Sequence, residues 1–214
     1  MYFQYDQDDI DYLKKKDARL AKAIDRIGPI QRPVQDDLYE SLVNSIVGQQ
    51  ISTAAHRTVW NRIKEHFGTL TPEKICGVST EELQRFGISF RKASYILENS
   101  AKICSGEFDL FGLAVKSDSE VIAELSSLKG IGVWTAEMLM IFSMQRPDVL
   151  SYGDLAILRG MRMLYRHRSI DRPRFERYRK RYSPKGSVAS LYLWAIASGE
   201  FPEWSDPAAS VKKK

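Results

Sequence analysis

The sequence LKGIGVWTA, which runs from Leu128 to Ala136, is the most informative stretch of the chain. Its two glycines, Gly130 and Gly132, lie between apolar segments with helical spacing, which predicts a helix that ends near Leu128 and a second that begins after Gly132. Such a turn has bare backbone, and the first N–H groups of the second helix carry the positive end of its dipole. The stretch therefore predicts an anion site, with an ordinary helix corner as the alternative, because short glycine patterns recur by chance.

The charge balance favours a polyanionic partner. The 214 residues carry a formal net charge of +5 and have a pI near 9.1, with much of the excess between 159 and 181 and in the tail Lys212–Lys214. This basic cluster is either a phosphate-facing surface or a solvated helical face, and neither interpretation specifies a base sequence. Its members are Arg159, Arg162, Arg166, Arg168, Arg172, Arg174, Arg177, Arg179, Lys180 and Arg181.

Cysteine usage argues against a metal centre. Cys76 and Cys104 are the only thiols and lie far apart in the sequence, which excludes a four-thiolate iron–sulfur cluster and makes a zinc site an unfavourable hypothesis. No catalytic cofactor is expected. No apolar run approaches a membrane span, and Tyr2–Asp6 is too polar for a secretory leader, so we expect a soluble protein of a reducing compartment, cytoplasmic in a bacterium or nuclear in a eukaryote.

Apolar residues recur mainly at helical spacing and convincing period-2 alternation is absent, which predicts an all-α fold. Several helix starts are marked by proline at the first helical position or by capping-box spacing, at Thr71-Pro72, Ser79–Glu82 and Ser117–Glu120. The predicted helices span roughly 8–27, 36–48, 52–67, 72–76, 79–86, 90–104, 117–125, 132–144, 154–166, 172–181 and 186–198.

The glycine turn is followed, 24 positions after Gly130, by Asp154 in the segment VLSYGDL. Together they resemble the signature of the helix-hairpin-helix (HhH-GPD) DNA glycosylase superfamily, and the chain is most similar to its alkylpurine, 3-methyladenine DNA glycosylase II branch. The resemblance covers essentially the whole chain. It implies two helical lobes that flank a DNA-binding cleft: a central lobe, 35–153, that ends in the hairpin, and a second lobe formed by 1–34 and 154–214.

Asp154 has two compatible interpretations. It follows Gly153 and precedes the apolar run Leu155–Leu158, so the residues alone predict a helix N-cap. The resemblance implies that it is also the catalytic residue. A carboxylate held rigidly by helical N–H groups suits the stabilisation of the cationic sugar that develops as an N-glycosidic bond breaks, and it can orient or deprotonate the attacking water.

The resemblance also assigns roles to the hairpin. Backbone contacts to DNA phosphate are implied for Lys129, Gly130, Ile131, Gly132 and Thr135, without reading of base sequence. The carbonyl oxygens of Ser126, Leu128 and Ile131 are the implied ligands of a Na⁺ or K⁺ ion. Strand-cutting relatives carry a lysine at the position of Trp134, and tryptophan cannot form their Schiff base.

A second similar segment, Ile46–Ala55, includes the pair Gln49 and Gln50. In the family this loop enters the minor groove and fills the gap left by an extruded nucleotide, and Gln50 falls at the wedge position between Gln49 and Ile51. The alternative is that the two glutamines cap a helix and bond to backbone groups.

Trp134 and Trp194 are the aromatic residues that the resemblance places at the base pocket, with Met138 where a bacterial relative has an aromatic side chain. An indole attracts a cationic ring, which would favour an alkylated purine over a normal one by roughly 1–2 kcal/mol. The alternative for each tryptophan is a place in the core.

Together with these residues, the resemblance implies a monofunctional DNA glycosylase that acts as a monomer on double-stranded DNA with damaged bases. It would flip 3-methyladenine or 7-methylguanine out of the duplex, hydrolyse the N-glycosidic bond and leave an abasic site. The alternatives are a non-catalytic helix-hairpin-helix DNA-binding protein and a glycosylase for oxidised or deaminated bases.

Overall fold

The computed structural model describes residues 1–199, 201 and 204–208 of the chain. In that part every regular element is a helix, and the one strand-like contact is an isolated bridge between Tyr2 and Pro33. The all-α prediction is thereby confirmed. None of the described helices is long and apolar enough to cross a membrane. The basic tail Lys212–Lys214 lies outside the described residues.

The described residues form twelve α-helices and one short 3-10 helix. In chain order the α-helices are α1 (Gln7–Lys16), α2 (Ala18–Ile27), α3 (Leu38–Gly48), α4 (Thr53–Phe67), α5 (Pro72–Cys76), α6 (Thr80–Gln84), α7 (Phe90–Cys104), α8 (Asp118–Ser127), α9 (Val133–Phe142), α10 (Leu155–Tyr165), α11 (Arg172–Tyr182) and α12 (Gly186–Ala197). The 3-10 helix spans Gly112–Val115 and was not predicted.

Helix starts follow the sequence closely. Ten of the twelve described α-helices begin at an Asp, Ser or Thr whose side chain accepts a hydrogen bond from the first turn. The starts predicted at Thr71, Ser79 and Ser117 are confirmed, and Ser117 with Glu120 forms a complete capping box. The two helices without a side-chain cap are α9 and α12.

The single helix predicted over 8–27 is wrong, because the chain breaks at Asp17. This residue leaves the helical region, with φ −148° and ψ 107°, and its Oδ1 accepts bonds from the backbone N–H groups of Arg19 and Leu20. Its Oδ2 accepts a bond of 2.6 Å from the Tyr165 hydroxyl and one of 2.5 Å from the Arg181 guanidinium. The buried carboxylate thus ends α1, begins α2 and ties both to α10 and α11.

The helices group into two compact units. One unit, the central unit, contains residues 35–144, and the other joins residues 1–34 to the chain from Gln145 onward. The stretch 145–153, which the sequence analysis assigned to the central lobe, belongs to the unit formed by the termini. The reason is its bonding to α12: the Val149 N–H donates to Ser187 Oγ, and the Ser190 hydroxyl donates to the Val149 carbonyl, each at 3.0 Å.

The unit formed by the termini has α12 at its centre, buried along nearly its whole length and packed against α10. Gly160 of α10 makes this packing possible. A Cβ at this position would collide with the backbone carbonyl of Leu193, so only glycine fits. The close approach of the two helices therefore depends on a missing side chain.

Gly160→Ala should lower the free energy of unfolding by at least about 1–3 kcal/mol, because the clashing atoms are backbone and cannot rotate away. Urea denaturation measures the change. Gly77→Ala is the matched control, since a Cβ there lies no closer than 3.5 Å to its neighbours. Equal stability of the two variants would contradict the packing account.

Candidate functional site

The turn between α8 and α9 has the bare backbone that the sequence predicted. Gly130 has φ +79°, in the region that favours glycine, and a Cβ there would lie 2.7 Å from the Tyr95 ring. Leu128 and Ile131 are buried and anchor the turn, whereas Lys129 and Gly132 are exposed. The turn thus exposes backbone while its two apolar side chains hold it in place.

The start of α9 differs from that of the other uncapped helix. At α12 the N–H groups of Gly186 and Ser187 donate to the Asp148 carboxylate and the Pro147 carbonyl, at 3.1 and 3.0 Å. At α9 the N-cap residue Gly132 brings no side chain, and apart from its chain neighbours no atom lies within 4 Å of the position that a Cβ would take. The positive end of the α9 dipole therefore faces an exposed surface, which suits a phosphate.

Side chains from α7 and the end of α3 hold the turn. Asn99, fully buried on α7, donates to the Lys129 carbonyl at 2.9 Å and accepts from the Lys129 N–H at 3.0 Å. The Gln49 amide donates to the Gly130 carbonyl at 2.7 Å. Sequence reasoning missed Asn99 and Tyr95 as supports of the hairpin, since nothing in the sequence pairs them with residues about thirty positions away.

The oxygen atoms around the turn bear on a cation site. The carbonyls of Lys129 and Gly130 are taken by Asn99 and Gln49, while Ser126 Oγ is buried without a hydrogen-bond partner among the described residues. Neutral oxygen atoms are ligands that suit a hard cation such as Na⁺ or K⁺. They lie at the carboxyl end of α8, which is the negative end of its dipole and also favours a cation. No group of three or more acidic, His or Cys side chains in the described chain could hold a metal.

The turn between α3 and α4 is exposed to solvent. Gln50 has a left-handed backbone, φ 55°, and both Gln50 and Ile51 are exposed, so Gln50 stands at the tip. Ser52 then caps α4 through a bond from the Ala55 N–H. Gln49, grouped with Gln50 in the sequence analysis, instead turns toward the hairpin, so the backbone-bonding alternative describes Gln49.

Lys92 secures this turn from behind. Its ammonium group donates to the carbonyls of Val47 and Gln49, at 2.9 and 2.6 Å. Burial, and to a lesser extent the charge of Arg91, lowers the pKa of Lys92. The exposed tip therefore rests on a fixed base, and α7 supports both this turn and the hairpin.

Asp154 is the N-cap of α10, as the sequence predicted. It is only 7% exposed, and its Oδ1 accepts bonds from the N–H groups of Ala156 and Ile157, each 2.9 Å long. The chain that leads to it is fixed by α12 through Val149. A carboxylate in this setting is held rigidly at the positive end of a helix dipole.

The predicted aromatic residues lie on two different helices. Trp134 is in the first turn of α9 and 49% exposed, with the partly exposed Met138 one turn further along the same helix face. Trp194 is one of the few residues of α12 that keep some exposure. The alternative of a core position is wrong for Trp134.

The basic cluster divides into structural and surface arginines. Arg162 forms a bidentate pair with Asp206, at 3.0 and 2.6 Å, and Arg181 pairs with Asp17. Arg172 bonds to Glu176 and lies over the Tyr152 ring, 4.9 Å from its centroid. Part of the positive charge between 159 and 181 therefore stabilises the fold.

Comparison with known proteins agrees with this arrangement. A family model described as HhH-GPD superfamily base excision DNA repair protein matches residues 43–185, a range that includes the hairpin and Asp154. The chain belongs to this superfamily. The predicted family is confirmed. Among HhH-GPD relatives, DNA-3-methyladenine glycosylase 1 of Schizosaccharomyces pombe is 32% identical over 181 residues, which are 82% of this chain and 79% of that protein.

Two solved structures show the same fold. A DNA-3-methyladenine glycosidase from Bacillus halodurans superposes with a TM-score of 0.85 at 36% identity, covering 96% of this chain and 98% of the other. The 3-methyladenine DNA glycosylase of Schizosaccharomyces pombe in complex with abasic DNA gives a TM-score of 0.78 at 27% identity, covering 93% and 100%.

Asn99→Ala should loosen the hairpin, because the backbone groups of Lys129 lose both buried partners. We expect a loss of about 1–3 kcal/mol in the free energy of unfolding and faster amide hydrogen exchange across 129–132. Asn61→Ala, which removes an exposed asparagine of α4, is the control and should change neither quantity. Unchanged exchange in the Asn99 variant would show that the hairpin is held by other contacts.

Proposed function

We propose that this protein is a DNA glycosylase of base excision repair that hydrolyses the N-glycosidic bond of an alkylated purine and leaves an abasic site. The observation that carries the proposal is Asp154, a buried carboxylate fixed by two helical N–H groups. It is supported by the relatives named DNA-3-methyladenine glycosylase, which match most of the chain. The proposed substrates are 3-methyladenine and 7-methylguanine.

Asp154 acts on the sugar. As the bond between base and deoxyribose breaks, positive charge develops on the sugar ring, and a carboxylate that cannot reorient stabilises this charge without reorganisation. The same group orients the attacking water or accepts its proton. A purine that alkylation has already made cationic leaves as a neutral base, so the reaction needs no separate general acid.

The hairpin binds the DNA backbone. The exposed first turn of α9 directs N–H groups and a positive dipole end at a phosphate, and Lys129 adds a positive charge beside it. A Na⁺ or K⁺ held by the carbonyls of Ser126, Leu128 and Ile131 would supply further positive charge toward the phosphate. Because these contacts reach only the DNA backbone and not the bases, they bind damaged and undamaged DNA alike.

The base contacts that the family resemblance implies are aromatic or polarisable side chains: Trp134 and Met138 on α9, and Trp194 on α12. The indole faces attract a cationic purine more than a neutral one, which gives selectivity for alkylation damage. Trp134 has no amine with which to form an imine, so water completes the displacement and the strand stays intact.

Asp154→Asn should lower the rate of base release by at least about 100-fold, because the amide keeps the shape but carries no charge. Its oxygen can still accept from Ala156 and Ile157, so the fold and the affinity for abasic DNA should persist. Asp171→Asn is the matched control, since Asp171 caps α11 in the same way at an exposed position. Single-turnover kinetics on methylated DNA would contradict the proposal if both variants kept near-parental rates.

Gln50→Ala should reduce base release from fully paired duplex more than from DNA bulged at the lesion, because the bulge has already supplied part of the unstacking that a wedge promotes. Gln49→Ala is an informative comparison. This residue holds the hairpin, so its loss should weaken binding and excision on both substrates equally. Equal losses on the two substrates for Gln50→Ala would remove the wedge assignment.

A further inference from the structure

The two cysteines, distant in the sequence, meet in the central unit. Cys76 ends α5 and Cys104 ends α7, and their sulfur atoms lie 3.0 Å apart although 28 positions separate them. Both residues are exposed and both are free thiols. Neither belongs to the hairpin, to the turn between α3 and α4 or to the surroundings of Asp154, so the proposed reaction makes no use of them.

The packing of the two helices places the thiols together. Ile75, beside Cys76, is fully buried where α5 packs against α7. On α7, the Ser100 hydroxyl is buried one turn before Cys104 and bonds to the Tyr39 hydroxyl at 2.6 Å. These contacts fix the ends of both helices on the same side of the unit, so the sulfur atoms stay close whether or not they are bonded.

We propose that Cys76 and Cys104 form a reversible intramolecular disulfide, and that the pair is a modification site for low-molecular-weight disulfides such as oxidised glutathione. A disulfide has an S–S distance of about 2.05 Å, so the sulfur atoms need to approach by only about 1 Å. Side-chain rotation at two exposed helix ends can supply that movement. Solvent access to both thiols lets the small disulfide reach them.

The bond forms by two exchanges. The Cys104 thiolate attacks one sulfur of the small disulfide, which gives a mixed disulfide on Cys104 and releases one small thiolate. The Cys76 thiolate then attacks the Cys104 sulfur, closes the Cys76–Cys104 bond and releases the second small thiolate. The two cysteine protons end on the two released thiolates, the protein pair is oxidised by two electrons, and the small disulfide is reduced.

Partial burial and the hydrogen bond to Cys104 raise the pKa of the Cys76 thiol to about 11, so only a small fraction of Cys76 is the reactive thiolate at neutral pH. The first exchange is accordingly assigned to Cys104, and the same bond results if Cys76 attacks first.

Closure links α5 to α7 around a loop that contains α6 and nearly all of α7. Within that loop lie Lys92, which supports the turn between α3 and α4, and Asn99, which supports the hairpin. A cross-link of this length restricts the unfolded chain, so oxidation should raise the midpoint of thermal unfolding by roughly 5–10 °C. The folded arrangement of both turns should stay the same.

The test exposes the full-length protein to a series of reduced and oxidised glutathione mixtures and then blocks remaining thiols. Intact mass spectrometry should show a species that has lost two hydrogen atoms and takes up no blocking reagent, and reductant should restore both thiols. Cys76→Ser is the matched variant, because it stops the reaction at the mixed disulfide on Cys104.

Three results would overturn the proposal. The first is wild-type protein that keeps two free thiols or carries two glutathione adducts under conditions that convert Cys76→Ser to its mixed disulfide. The second is a covalent dimer of the wild type in place of the internal bond. The third is an unchanged or lower unfolding midpoint in the oxidised protein, since a bond between helix ends already in place should stabilise the fold.

Discussion

The bare backbone at Gly130 and Gly132 is the constraint on which the central unit depends. A turn with glycine at two positions can approach a phosphate closely, but beyond the buried side chains of Leu128 and Ile131 it has few means of holding its shape. The protein meets this need with groups from elsewhere: Asn99 bonds to both backbone groups of Lys129, Gln49 bonds to the Gly130 carbonyl, and Tyr95 occupies the space that a Cβ at Gly130 would take. Helix α7 thereby supports both the hairpin and the turn between α3 and α4.

Two helix starts divide the chemistry of the proposed reaction. At α9 the N-cap is a glycine, so the positive end of the helix is left open to an external anion. At α10 the N-cap is Asp154, so the same kind of helix end holds an internal carboxylate rigidly in place. In the proposed reaction, one backbone feature thus serves binding in the first case and stabilisation of a developing cation in the second. The difference rests on whether the residue before the helix carries a side chain.

The sequence predicted what depends on local pattern. The helical class, most helix starts, the glycine turn and the capping role of Asp154 all follow from spacing and cap chemistry within a few residues. The helix break at Asp17 was not predicted, because apolar spacing continues across it. Its cause is the set of hydrogen bonds that Asp17 accepts from Tyr165 and Arg181, which are distant in the sequence. The side chains that support the hairpin and the contact of Cys76 with Cys104 were not predicted either. These contacts join positions 28 or more apart, and only packing brings them together.

The central claim is that a fixed carboxylate and an aromatic pocket release alkylated purines by hydrolysis alone. Its most direct test is to incubate the purified protein with methylated duplex DNA, and in parallel with duplexes that contain hypoxanthine or 8-oxoguanine, and to measure free bases and strand breaks separately. The account predicts release of 3-methyladenine and 7-methylguanine, with strands that stay intact until alkali cleaves the abasic sites. Preferential release of 8-oxoguanine or hypoxanthine, or strand cleavage by the protein itself, would contradict it.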